Sequence, residues 1–187
     1  MSKTNGNSEN LECKIVSNVQ KSRTKARDYF WQFWTFFGFP YIWIGIGIIL
    51  FFLDFLLLFV LFFFAGVSYF LTIFPLKIAT KRKRPEKKCE DVTLLIKAKR
   101  SFSFPSGHTY TATIFGLVFA IYFNSLPLLI CMLALGVMVA VSRIYLGAHF
   151  LSDVLIAYIL AIVVVVIIFT ILYPIVQTFF LLIQRLF

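Results

Sequence analysis

The chain has 187 residues, of which 60% are hydrophobic, 19% aromatic and 14% charged, with a mean hydropathy of +0.91. A soluble domain of this length cannot bury so many apolar side chains, which excludes a soluble enzyme, a disordered hub and a small secreted disulfide scaffold and leaves an integral membrane protein. The formal charge of +10 crowds 18 Lys and Arg into short polar segments, so their placement bears on topology.

Residues 1–28 hold six basic and three acidic groups among Ser, Asn and Thr, without apolar periodicity. That is the composition of a flexible basic tail, and no apolar core follows the start closely enough to be a cleaved signal. The aromatic run from Tyr29 to Phe37 suits a membrane interface and opens a membrane-embedded unit over residues 29–187. From Gly38 to Leu76 the only charged side chain is Asp54, and the stretch is too long for one spanning helix. It divides into two spans that meet at a solvated turn near Asp54, a more economical reading than a buried functional carboxylate.

Lys77 to Arg100 sets ten Lys or Arg against Glu86, Glu90 and Asp91 and reads as an aqueous loop. Ser106–Phe123 and Leu126–Val141 form two further spans, joined tightly at Asn124-Ser125, with Pro127 just inside the second. The last span runs from about His149 to Tyr173 and stops at Pro174, leaving an apolar tail in the interface. Cys13, Cys89 and Cys131 are odd in number and lack a Cys-x-x-Cys spacing, so they suggest neither a disulfide framework nor a zinc site.

The expected fold is an all-α polytopic membrane bundle of about five transmembrane helices, with the chemistry gathered at one membrane face. The N-terminal segment and the loops at 77–100 and 143–149 fall on one side and carry 17 of the 18 basic residues. The positive-inside rule puts that face in the cytoplasm, in a membrane of endoplasmic reticulum type, with Cys13 and Cys89 on the same side.

Three polar clusters lie on this face. Lys77 and Arg84-Pro85 end the second span, Pro105-Ser106-Gly107-His108 opens the third, and Ser142-Arg143 with His149 and Asp153 joins the fourth to the fifth. Lys77, Arg84 and Arg143 supply positive charge, the guanidinium fork matching phosphate oxygens. Ser106 and Gly107 stand where a helix begins, and its N–H groups and dipole favour an anion. His149 and Asp153 are four apart on one helical face, so the carboxylate can hold one ring nitrogen and leave the other as a nucleophile. His108, on another helix, can protonate a departing oxygen. No acidic cluster suited to Mg²⁺ accompanies them, and neither a cofactor nor a metal is expected.

The ordered set Lys-x6-Arg-Pro, Pro-Ser-Gly-His and Ser-Arg-x5-His-x3-Asp resembles the three signature motifs of the type 2 phosphatidic acid phosphatase superfamily, which is related to vanadium haloperoxidases. Every fixed motif position between Lys77 and Asp153 matches. The resemblance implies that His149 becomes phosphorylated, Asp153 supports it, His108 protonates the leaving group, and Lys77, Arg84, Ser106, Gly107 and Arg143 hold the phosphate. The compact loop, the span count, the Lys-Arg-Lys-Arg run and the Gly38-Phe39-Pro40 turn look more like the polyisoprenoid (presqualene-type) diphosphate phosphatases.

The expected activity is therefore hydrolysis of a lipid phosphate or diphosphate, with a polyisoprenoid diphosphate favoured and a phosphatidic acid, lysophosphatidic acid or sphingoid phosphate as the alternative. Lys81, Arg82 and Lys83 fit either a diphosphate head or a patch for anionic lipid. Membrane lipids are the expected surroundings, with no role for nucleic acid and no signal for oligomeric state. A catalytically silent lipid-binding or scaffolding protein is the alternative of another class, and intact His108, His149 and Asp153 argue against it.

Overall fold

The computed structural model describes residues 3–96 and 102–186, so Lys97, Lys99 and Arg100 of the expected basic loop lie outside the described residues. All regular structure among the described residues is helical. In chain order it comprises α1 (Lys3–Lys21), α2 (Lys25–Phe36), α3 (Pro40–Phe52), α4 (Leu56–Thr80), a 3₁₀ turn (Pro85–Lys87), α5 (Gly107–Tyr122), α6 (Leu126–Tyr145), α7 (Leu151–Ile167), a π turn (Ile168–Leu172) and α8 (Tyr173–Leu186).

The bundle is arranged around α5, in which eleven of 16 residues are buried. Its small and β-branched residues let neighbours approach closely, the packing logic of helices within a membrane. Gly136 of α6 is one such contact, since a Cβ there would stand 2.6 Å from Thr113 Oγ1 and 2.8 Å from the Tyr158 ring. On the other side of α5, Trp43 stacks on Phe115 with ring centroids 5.7 Å apart, and Phe62 meets the same ring edge-on at 5.1 Å. Polar atoms in this core are paired, as in the 2.7 Å contact between Ser68 Oγ and the Tyr110 hydroxyl. The outward faces of α3, α4, α7 and α8 carry exposed Phe, Leu and Ile, as lipid-facing surface requires.

Three segments are long and apolar enough to cross a membrane, Leu56–Lys87, Leu126–Tyr145 and Leu151–Leu182. A fourth arises if α2 and α3, bent by 46° at their junction, are taken as one broken span. Pro40 opens α3 at a position where its missing N–H costs nothing, which fixes the break. The hairpin α3–α4 turns through Asp54, exposed and in the left-handed region at φ 62°, so it is the solvated turn expected from the sequence. Asn124, at φ 47°, does the same for α5–α6.

Two expectations are corrected. Residues 1–28 do not form a flexible tail, because α1 packs on the bundle through Val16, which is fully buried, and α2 begins at Lys25. Their periodicity escapes a hydropathy reading because the packed face is largely polar: Glu12, Cys13, Val16, Val19 and Gln20. Gln20 alone donates to the carbonyls of Thr93 (2.8 Å) and Tyr145 (2.9 Å) and accepts from the Thr93 N–H at 3.0 Å. Nor does the last helix stop at Pro174, since α7 continues through the π turn into α8. The wider turn shifts the hydrogen-bond register, so a residue without an N–H is accommodated rather than terminating the helix.

The cysteines are not incidental either. Cys13 and Cys89 form a disulfide across 76 residues of sequence, with Cα atoms 5.7 Å apart, and only Cys131 is free among the described residues. The link joins α1 to the loop after the 3₁₀ turn, a proximity that spacing in the sequence does not encode.

Candidate active site

α4, α5, α6 and α7 present their site-bearing ends to one region, which gathers the eight residues singled out from the sequence. Asp153 is its fixed point. It lies in the first turn of α7 with no exposed surface, and its Oδ2 accepts from the Phe150 N–H at 2.9 Å, the carboxylate half of a capping box. The Asp153 carbonyl accepts from the Ser106 N–H at 2.9 Å, which ties α7 to the start of α5. The Ser106 amide is thus engaged, and its hydroxyl accepts from Thr109 N and Thr109 Oγ1. Gly107 and His108 are the residues left in the first turn, where backbone N–H groups lack helical partners.

His149 stands in the loop before α7, 2% exposed, with Nδ1 3.6 Å from Asp153 Oδ2. That separation is longer than a hydrogen bond, and Nδ1 has no hydrogen-bond partner among the described residues. Burial pushes the imidazole down from 6.5 to about 3, Asp153 opposing and Arg143 and Arg84 adding to the effect. The ring is therefore neutral at ordinary pH and keeps a lone pair for attack.

The cations surround this pair. Arg84 donates from Nη1 to the carbonyl of Ala148, next to His149, at 3.2 Å. Lys77, in the last turn of α4, donates to the Phe102 carbonyl at 3.0 Å. Arg143 is 2% exposed and donates from Nη1 to Thr35 Oγ1 at 2.8 Å, while its Nε is buried without a partner among the described residues. Arg143, His149, Arg84 and Lys77 all act electrostatically on His108, so the two histidines and three cations share one site.

His108 is held from the α2–α3 break. The Phe39 ring meets its imidazole edge-on at 4.7 Å, and a Cβ on Gly38 would fall 2.6 Å from His108 Cβ. Only glycine allows that approach. His108 Nε2 is buried and has no hydrogen-bond partner among the described residues. An orphaned donor or acceptor of this kind costs about 1–3 kcal/mol, a cost repaid when a ligand oxygen arrives.

Several residues of this region escaped the sequence reading. Thr35, Gly38 and Phe39 belong to the aromatic run and the turn, and only the lone glycine two residues before Pro40 signalled a close approach. Ser103, fully buried, donates from Oγ to Asp153 Oδ2. Arg82 was taken as one of a basic run, yet its Nη1 donates to Asp153 Oδ1 at 2.6 Å, its Nη2 pairs with Glu12, and its guanidinium lies 4.5 Å over the Phe150 ring. Lys81 and Lys83 on either side are exposed.

Comparison with known proteins places this geometry. The family model described as the PAP2 superfamily matches residues 53–177. The fold is similar to LpxE of Aquifex aeolicus, with a TM-score of 0.74 and 24% identity, covering 82% of this chain and 92% of that one. It is also similar to a transmembrane PAP2 type phosphatidylglycerolphosphate phosphatase from Bacillus subtilis, with a TM-score of 0.73 and 24% identity, covering 89% of this chain and 86% of that one. No curated protein sequence matches the chain.

Proposed function

The chain belongs to the PAP2 superfamily and is a phosphoester hydrolase, and we propose that it cleaves lipid phosphates or diphosphates through a phosphohistidine, without a metal. One observation carries this reading: a buried neutral imidazole beside a buried carboxylate, facing a second imidazole whose Nε2 is unpartnered, among three cations. The free nitrogen of His149 attacks phosphorus in line with the ester oxygen. As the N–P bond forms the P–O bond breaks, and His108 gives its proton to the departing oxygen. Asp153 stabilises the charge that develops on His149, while Lys77, Arg84, Arg143 and the first-turn amides of α5 hold the equatorial oxygens. Water, deprotonated by His108, then attacks the phosphorus, releasing phosphate and restoring both imidazoles.

The favoured substrate remains a polyisoprenoid diphosphate, supported by the exposed Lys81 and Lys83 beside the site. Engagement of Arg82 with two carboxylates takes away part of the charge that favoured a diphosphate head. The likeness to a phosphatidylglycerolphosphate phosphatase supports the second reading, a phosphatidate-type monophosphate. Phosphate release in EDTA from isoprenyl diphosphates, phosphatidate and lysophosphatidate, by wild type and His149→Ala, tests both. Release lost in the variant sustains the mechanism and ranks the heads; no release from either protein on any substrate favours a silent lipid-binding protein.

We read five crossings by counting α5, about 24 Å long and sheathed by its neighbours, alongside the four apolar spans. The charge count supports a cytoplasmic site, but the Cys13–Cys89 bond supports an oxidising compartment, because disulfides rarely persist in a reducing cytosol. Four of the basic residues counted, Lys77, Arg82, Arg84 and Arg143, have partners at the site and carry no topological information. The reading we adopt is an endoplasmic reticulum type membrane with the site toward its lumen. In sealed cytoplasmic-side-out vesicles, an impermeant reductant followed by an impermeant maleimide should leave Cys13 and Cys89 unlabelled; labelling of both restores the cytoplasmic assignment.

A further inference from the structure

Asp153 has two oxygens with different neighbourhoods. Oδ2 faces His149, Ser103 and the Phe150 amide, whereas Oδ1 is taken by Arg82. Arg82 is positioned from three sides. Lys81, left-handed at φ 46°, ends α4 and turns the chain. The Arg82 carbonyl accepts from the Ser103 N–H at 2.8 Å, and the guanidinium lies on Phe150 while its Nη1 also donates to Ser152 Oγ at 2.6 Å. The remaining side is closed by α1. Glu12 pairs with Arg82 Nη2, and its Oε1 accepts from Ser152 Oγ at 2.5 Å.

A paired carboxylate, guanidinium and carboxylate thus run from α1 to His149. Glu12 is the only acidic group of this chain of contacts that comes from outside the motif-bearing helices, and the next residue, Cys13, is bonded to Cys89. The disulfide therefore fixes α1 one residue from the group that sets Arg82. Both cysteines border an open recess of about 870 Å³, so a small dithiol has access to the bond.

We propose that Glu12 and Arg82 are positioning residues for the phosphoryl transfer, latched by the Cys13–Cys89 disulfide, so that the activity is redox-sensitive. By engaging Oδ1, Arg82 prevents the carboxylate from rotating and leaves Oδ2 as the single oxygen aimed at His149. In the latched state the imidazole keeps one orientation. A dithiol reductant opens the latch: two electrons and two protons pass to the cysteines, giving two thiols, and the reductant closes to its cyclic disulfide. α1 is then held only by non-covalent contacts, Glu12 leaves Arg82 more often, and the Asp153–His149 geometry loosens.

The proposal rests on the phosphohistidine reading, and the test separates the two. The full chain is used in detergent and EDTA, in a Cys131→Ser background, with phosphatidate and an isoprenyl diphosphate as probes. Glu12→Gln and Arg82→Gln should each lower kcat about tenfold with KM changed less than about twofold, since they misplace the nucleophile without touching the phosphate. Dithiothreitol should lower the parent kcat by a similar factor, reoxidation should restore it, and Cys13→Ser/Cys89→Ser should show the lowered rate with no further response. Glu12→Gln should also respond little, because its latch has nothing to hold. Far-ultraviolet circular dichroism and gel filtration identify any variant that has simply unfolded, and the reversible effect on the parent then decides. If His149→Ala is inactive while both positioning variants and the reduced parent keep kcat within about twofold, the latch is refuted and the mechanism stands. Full activity in His149→Ala overturns the mechanism and the latch together.

Discussion

The two ends of the bundle solve the problem of reversing a helix in opposite ways. At one end α3–α4 and α5–α6 turn through three residues each, with one left-handed residue, Asp54 or Asn124, and aromatic packing such as Phe55 on Phe123 with ring centroids 5.8 Å apart. At the other end the chain needs residues 81–106 to pass from α4 to α5, and it spends them on hydrogen bonds to Asp153, a 3₁₀ turn and a disulfide to α1. Tight turns leave little to tune, so that end is scaffold. The long connection brings charged groups from distant parts of the sequence onto one carboxylate, and that end is the candidate site.

The largest effect should come from Asp153→Asn, which keeps the shape and removes the charge opposite His149. Hydrolysis measured as phosphate release should fall on the order of 10³-fold, as when an imidazole loses the carboxylate that fixes its tautomer. An equal loss from a change at the Asp54 end would abolish the contrast. Gly38→Ala comes next. Its Cβ would sit 2.6 Å from His108 Cβ, so the imidazole or the α2–α3 break must move, and kcat should fall about 10- to 100-fold while the helical content stays unchanged.

A smaller signature is thermodynamic. His149 titrates at about 3 in the folded protein, and the unfolded chain takes up its proton near the ordinary 6.5. Between those values the unfolded state binds more protons, so stability is full above about pH 6.5 and is lost as the pH falls toward 3. Thermal midpoints in detergent should drop across that window, and His149→Gln should flatten the drop. The smallest effect belongs to Asp54→Gly, which relieves a left-handed backbone at a solvated turn. Stability should change by less than about 1 kcal/mol and phosphate release should stay within about twofold.

What the sequence makes legible is unequal between these two ends. Asp54 is readable as a turn because a charge in the middle of a double-length apolar run has a steep cost in lipid. His108, His149, Asp153, Lys77, Arg84, Ser106, Gly107 and Arg143 are readable because the chemistry of an oxyanion demands those types at helix ends, and the fold brings them together. Arg82 is not readable, since a guanidinium in a basic run has the same composition whether it faces water or a buried carboxylate. Nor is α1, whose inward face uses Glu12 and Gln20 where an amphipathic pattern would show leucines. The Cys13–Cys89 pairing depends on where two helices come to rest, which no spacing records. Pro174 misleads for a related reason: a proline ends a helix only if the turn before it keeps α-helical register, and the π turn does not.

That uninterrupted helix is longer than the membrane is thick. Leu151–Leu182 is 32 residues, about 48 Å at 1.5 Å per residue, against a hydrocarbon core of about 30 Å. Tilting could absorb the excess only at about 51°, beyond the 0–40° that transmembrane helices adopt. About twenty residues from Leu151 the helix reaches Thr170, inside the π turn, so that turn falls at the far boundary of the hydrocarbon. The wider ring of carbonyls lies where headgroups and water can reach it, and α8 stands beyond the bilayer core, rotated in phase against α7.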